Sequence, residues 1–147
     1  ADGGALLDTT PPDAGPRARH PTAGAVLVAA RPPLVAFNVE LAAPATLAQA
    51  RAIAAEIRDG GAHGLPSVRA IGLRLARQDV VQVSTNIEDH TRTTPAQVVA
   101  AVQARAPISG AELVALAPAA AFAGFPPDIP LRPGLRTIEA ALGHIHC

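Results

Sequence analysis

Hydrophobic and polar positions alternate most clearly in two stretches of the chain. Along Leu34–Leu41, Val35, Phe37, Val39 and Leu41 fall on one side, and Leu34, Ala36, Asn38 and Glu40 on the other. Along Val80–Ile87, Val81, Val83, Thr85 and Ile87 alternate with Val80, Gln82, Ser84 and Asn86. A period of two predicts half-buried strands. Ser67–Leu75 and Ala111–Leu116 are read as two further strands. The turn at Arg77–Asp79 suits a hairpin between Ser67–Leu75 and Val80–Ile87. Between the strands the period lengthens. Leu47, Ala50, Ile53, Ala54 and Ile57 recur at helical spacing within Pro44–Asp59, with Thr46 as a cap and Gly60-Gly61 as a stop. Thr93-Thr94-Pro95 opens a second helix over about 95–106, with Val98, Val99 and Val102 as its apolar stripe.

From residue 34 onward this order is β-α-β-β-α-β. It predicts an α+β chain with the ferredoxin-like arrangement: a four-stranded antiparallel sheet, two helices on one face, and the other face open. The run Ala25–Ala30 predicts an extra N-terminal strand, ended by Arg31-Pro32-Pro33. The expected organisation is a lead-in loop over 1–24, the ferredoxin-like domain over 25–123, and a Pro-rich tail over 124–147. The tail is read as a loop over 124–133 and a short helix over Leu135–Leu142. Residues 118–123 are read as a single helical turn.

Composition narrows the class of protein. Of 147 residues, 49% are hydrophobic and only 2% aromatic: three Phe, with no Tyr, Trp or Met. That argues against disorder over the whole length. No apolar run reaches the roughly 20 residues of a membrane span. Residues 1–24 lack the charged start, apolar run and cleavage site of a signal peptide. Twelve basic residues, all Arg, balance twelve acidic ones, so no global field draws the chain to nucleic acid or an anionic membrane. The single cysteine, Cys147, has no internal disulfide partner, which points to a reducing, cytoplasmic setting.

Two places could carry chemistry. If the apolar strand faces meet the helices, Asn38, Glu40, Gln82, Ser84 and Asn86 line the open face, with Asn38 and Asn86 side by side on neighbouring central strands. Amides and hydroxyls on a rigid sheet can read a heterocycle; a solvated outer sheet face accounts for the same pattern. Ala70 and Gly72 share one face of their strand, and their lack of bulk is read as allowing close approach of a ligand or partner. The second place is Gly15-Pro16-Arg17-Ala18-Arg19-His20-Pro21-Thr22-Ala23-Gly24, with Arg31 a short strand away. Its cationic side chains and stiffened backbone suit a carboxylate or phosphate, or form a basic linker. His144-Ile145-His146-Cys147 offers too few ligands for a metal site and is read as a frayed tail. His63 and His90 are read as surface residues, and Glu88 and Asp89 as turn acids. There is no P-loop, G-x-G-x-x-G or G-x-S-x-G, and no nucleophile with an evident base.

Five stretches in order resemble glutamate formimidoyltransferase. They are Gly15–Gly24; Ala30-Arg31 with Leu34–Val39; Gly64–Gly72; Val81–Asn86; and Gly110–Leu116. The resemblance covers about residues 13–123. It implies transfer of a formimino group from N-formimidoyl-L-glutamate to tetrahydrofolate, in histidine degradation and one-carbon metabolism. It implies a dimer whose transferase domain has two ferredoxin-like subdomains, with substrate in the groove between them. This chain then corresponds to the C-terminal subdomain, inactive alone. The N-terminal subdomain is a partner that holds the catalytic histidine, and no catalytic residue is assigned here. The folate-binding stretch of the family falls on Gly15–Gly24. Arg17, Arg19 and Arg31 are then expected to pair with glutamate carboxylates, and Asn38, Gln82, Ser84 and Asn86 to face the ligand. Tetrahydrofolate is the only cofactor implied, as co-substrate, and no metal is expected. Ala14, Glu40, Ala111 and Ala115 depart from the residues usual in the family, and Glu40 adds a charge to the groove face. A non-catalytic ferredoxin-like module that binds a small ligand or dimerises through its sheet remains the alternative.

Overall fold

The computed structural model describes residues 11–143 apart from Arg19, Leu27, Ala29 and Arg31. Residues Ala1–Ala30 and Arg31–Cys147 form two compact units, and the sheet lies in the second. β1 (Val35–Leu41) and β3 (Val80–Ile87) pair antiparallel, with Val35 opposite Ile87, Phe37 opposite Thr85 and Val39 opposite Val83. The same register sets Ala36 against Asn86, Asn38 against Ser84 and Glu40 against Gln82. Successive side chains on a strand point to opposite faces, so the pairing sorts the sheet into one apolar and one polar face. β2 (Val68–Leu75) joins β3, and β4 (Ile108–Leu113) joins β1, both antiparallel. A short β5 (Leu131–Arg132) adds to β4 in parallel, giving the order β2-β3-β1-β4-β5.

The apolar face is covered by α1 (Leu47–Ile57) and α2 (Pro95–Gln103). Ala50, Ile53, Ala54 and Ile57 of α1 and Val98, Val99 and Val102 of α2 are buried against Val35, Phe37, Val39, Val68, Val83, Ile87 and Leu113. Both helices start where their side chains satisfy the first free amides. Thr46 Oγ1 accepts from Gln49 N at 3.1 Å. Thr94 and Gln97 form a reciprocal capping box, with Pro95 in the first turn. The two helices, their caps and the four antiparallel strands match the expected order, with ends shifted by a few residues.

Three expectations change. The sheet has five strands, not four, and is mostly antiparallel. The fifth strand comes from the tail expected to be loop, and the described residues of Ala25–Ala30 are not in a strand. The small residues of β2 face inward. A Cβ built on Gly72 would lie 2.3 Å from the backbone N of Arg51 and 2.5 Å from the carbonyl carbon of Ala50. The close neighbour of Gly72 is therefore α1 itself, and neither a ligand nor a partner.

The C-terminal stretch closes onto the sheet through the chain's three phenylalanines. Phe37 of β1 meets Phe122 and Phe125 edge-on, with ring centroids 6.1 and 6.0 Å away. Phe122 lies in a 3-10 turn, Ala119–Phe122, and a short α3 (Ile138–Gly143) follows β5. Gly110 admits β5: a Cβ there would stand 3.1 Å from the Pro130 carbonyl, which accepts from Ala111 N at 2.8 Å. Arg132 then reaches across the polar face to form an ion pair with Glu40 of the central strand. Among the described residues, no helix is long and apolar enough to cross a membrane.

Two stability measurements check this packing. Gly72→Ala is expected to cost about 1–3 kcal/mol, because a helix backbone must move, lowering Tm by several degrees; an unchanged Tm contradicts the seating of α1 on β2. Arg132→Ala leaves the Glu40 carboxylate, only 5% exposed, without its counter-charge. Since Arg132 is itself well exposed, the expected loss in urea denaturation is roughly 1–2 kcal/mol. Adding Glu40→Gln to that variant is expected to restore most of it.

Candidate functional site

The polar face is built by three adjacent strands in fixed register. On β1 it carries Ala36, Asn38 and Glu40. On β3, opposite them in order, it carries Asn86, Ser84 and Gln82. Asn38 and Asn86 are thus diagonal neighbours rather than a side-by-side pair; Ser84 stands beside Asn38. From β4, Glu112 sits opposite Asn38, and Gly110 sits opposite Glu40.

Each polar group has a distinct state. Asn38 is 6% exposed, and its Nδ2 donates to Glu112 Oε2 at 2.7 Å. Glu40 is held by Arg132, so the charge expected on this face is neutralised by the tail. Gln82 is 3% exposed, and its Oε1 has no hydrogen-bond partner. A buried amide oxygen left unpaired costs on the order of 1–3 kcal/mol. Ser84 is half-buried and Asn86 exposed, and both line a concavity of about 550 Å³ at the start of β2. Asn38 and Gln82 are not part of that concavity. Thr85, one step from Ser84, points to the other face, where its Oγ1 donates to the Phe37 carbonyl.

The basic segment belongs to the other compact unit. His20 and Gly24 exchange backbone hydrogen bonds, His20 N to Gly24 O at 3.2 Å and Gly24 N to His20 O at 3.0 Å. Gly24 takes φ 74 and Gly15 φ 90, the left-handed region that glycine enters without strain. His20 Nδ1 accepts from Ala23 N at 3.1 Å and Thr22 N at 3.4 Å. That nitrogen serves its own turn. Pro16, Arg17, Ala18, Pro21, Thr22 and Ala23 are exposed. Arg19 and Arg31 lie outside the described residues, as does the tail His144-Ile145-His146-Cys147.

Asp89 is a turn acid, as expected. Its carboxylate accepts from Thr91 Oγ1 at 2.7 Å and Thr91 N at 3.0 Å. The Thr91 hydroxyl, then its amide, hold the Asp89 carboxyl below the usual carboxylate range. Glu88 receives Arg69 Nε at 2.7 Å. Among the described residues, no three His, Cys, Asp or Glu side chains gather to hold a metal ion. Sequence reading missed Glu112 and Arg132 as members of the polar face. Glu112 alternates with Gly110 and was within reach of the period-two rule; the two-residue β5 is too short to have any period.

Comparison with known proteins fits this geometry. Residues 36–124 match the family described as the formiminotransferase domain. The chain is 37% identical over 116 residues to the glutamate formimidoyltransferase of Streptococcus pyogenes serotype M1, covering 76% of this chain and 38% of that protein. It is 36% identical over 118 residues to the formimidoyltransferase-cyclodeaminase of Gallus gallus, and 37% over 117 residues to that of Sus scrofa, covering 73% of this chain and 21% of each relative. The chain thus spans well under half the length of these relatives. The matched region takes in the polar face from Ala36 through Glu112, and the chain belongs to the formiminotransferase domain family.

Proposed function

We propose that this chain is the tetrahydrofolate-binding C-terminal half of a glutamate formimidoyltransferase, ferredoxin-like in its β-α-β-β-α-β core. It would work in the cytoplasm as part of a dimer, in histidine degradation and one-carbon metabolism. The reaction moves a formimino group from N-formimidoyl-L-glutamate to tetrahydrofolate. The linker (1–24) and the domain (25–123) divide the work: Gly15–Gly24 holds the folate, with Arg17, Arg19 and Arg31 on its carboxylates, while the polar sheet face forms one wall of the groove. An N-terminal subdomain supplies the opposite wall and the acid–base histidine, positioned over the amine. The observation that carries this reading is Gln82. In a chain of this family, a nearly buried amide oxygen without a partner sits on the sheet face among Asn38, Ser84 and Glu40. A ligand N–H, such as those of a pterin ring or an amidine, satisfies it. Asn38 and Asn86 supply further amide contacts.

Gln82→Met separates this role from a structural one. Replacing an unsatisfied buried amide by an apolar side chain of similar size is expected to raise the stability of the free protein, by about 1–2 kcal/mol. The same change is expected to reduce the thermal shift given by 5-formyl-tetrahydrofolate. Lower stability together with unchanged folate binding refutes the assignment. Arg17→Ala combined with Asn86→Ala is expected to weaken folate binding without a change in unliganded Tm. The 147 residues alone are expected to transfer no formimino group, and measurable transfer by them overturns the division of labour.

A further inference from the structure

The register lays the polar face out in rows across the strands. The middle row runs Glu112 of β4, Asn38 of β1, Ser84 of β3 and Ile71 of β2. The next row runs Gly110, Glu40, Gln82 and Leu73. Two carboxylates therefore stand on neighbouring rows, and they are partnered differently. Glu40 has the Arg132 guanidinium. Glu112 is half-buried and sits opposite Arg132 in the β4–β5 register, yet it forms no ion pair among the described residues. The other cation at this end, Arg136, gives its Nη2 to the Val114 carbonyl.

Glu112 keeps acceptor capacity. Its Oε2 takes one hydrogen bond, from Asn38 Nδ2 at 2.7 Å, and an ionised carboxylate has room for several. Because a carboxylate only accepts, the Asn38 amide is fixed with its nitrogen toward Glu112 and its oxygen away from it. The middle row then offers two acceptors, the carboxylate and the amide oxygen, and the row beside it adds the unpaired Gln82 Oε1. A half-buried carboxylate flanked by acceptors selects a ligand group that is cationic, planar and rich in N–H. An amidinium is such a group: its charge is spread over two nitrogens, and both donate. The corresponding amide has the same shape, but puts a neutral carbonyl oxygen where one of those nitrogens stood. That oxygen meets the carboxylate as acceptor against acceptor, which is a penalty and not merely a lost contact.

We propose that Glu112 is the residue that distinguishes a cationic formimino group from a neutral formyl group, by pairing with the amidinium while Asn38, oriented by the same carboxylate, accepts from it. The donor's identity rests on the transferase reading, in which the substrate is N-formimidoyl-L-glutamate. The preference for an amidinium over an amide rests on Glu112 and its neighbours alone.

Calorimetric titration of the whole chain compares N-formimidoyl-L-glutamate with N-formyl-L-glutamate, which differ only in a nitrogen replaced by oxygen. The native chain is expected to prefer the formimidoyl compound by about tenfold or more, the worth of a charge-assisted hydrogen bond over a neutral one. Glu112→Gln keeps the size of the side chain and an acceptor for Asn38, but removes the charge. It is expected to erase most of the preference, chiefly by weakening the formimidoyl compound, whereas Glu112→Asp is expected to retain part of it. A purely structural role for Glu112 weakens both compounds alike. Equal affinities in the native chain, or a preference undiminished in Glu112→Gln, overturn the proposal. If neither compound binds the native chain, the transferase reading loses its donor, and acetamidinium against acetamide then judges Glu112 by NMR at constant chloride. Shifts of the Asn38 side-chain amide resonances with acetamidinium, absent with acetamide and lost in Glu112→Gln, support the proposal; without them it falls.

Discussion

Everything in this domain depends on the seating of two short, small-residue helices on one face of the sheet. Alanine and valine stripes bury little area per residue, so they must approach closely to exclude water. Gly72 makes that approach possible. With its Cβ missing, the backbone of α1 at Ala50 and Arg51 lies directly on β2. Once the apolar side chains of β1 and β3 are committed to that contact, their polar neighbours are forced to the opposite face by the pleat.

The polar face is therefore a consequence of the core, but its detailed state is not. Asn38 donates to Glu112, and Glu40 is quieted by Arg132 from a strand that adds late in the chain. Gln82 alone among these buried groups keeps an unpaired oxygen. Folded chains rarely leave such groups unmatched. The three phenylalanines act elsewhere: they tie the C-terminal stretch to Phe37 on the opposite, apolar side. The polar face carries amides and carboxylates in place of aromatic rings.

Much of this was legible in the residues themselves. Thr46, Thr94 and Pro95 mark helix starts because capping is a local transaction between a side chain and the amides two or three residues on. The faces of β1 and β3 follow from period two. Local rules gave no access to register. Asn38 meets Ser84, and not Asn86, because of how β1 and β3 slide against each other, which no single strand records. The inward turn of Gly72 was misread for a related reason: small size signals close approach, but not by what.

The sequence by itself determined the four antiparallel strands and two capped helices of the core, which face of β1 and β3 is polar, and the family, since these rest on near-neighbour spacing and on the order of the chain's own motifs. Tertiary structure decided the rest. It recruited Leu131–Arg132 as a fifth strand, paired Arg132 with Glu40 across 92 positions of chain, and gathered Arg58, Ser67 and Asn86 around one hollow. Those meetings are long-range. They are stabilised by packing and charge only after the chain has folded back on itself, and no local pattern encodes them.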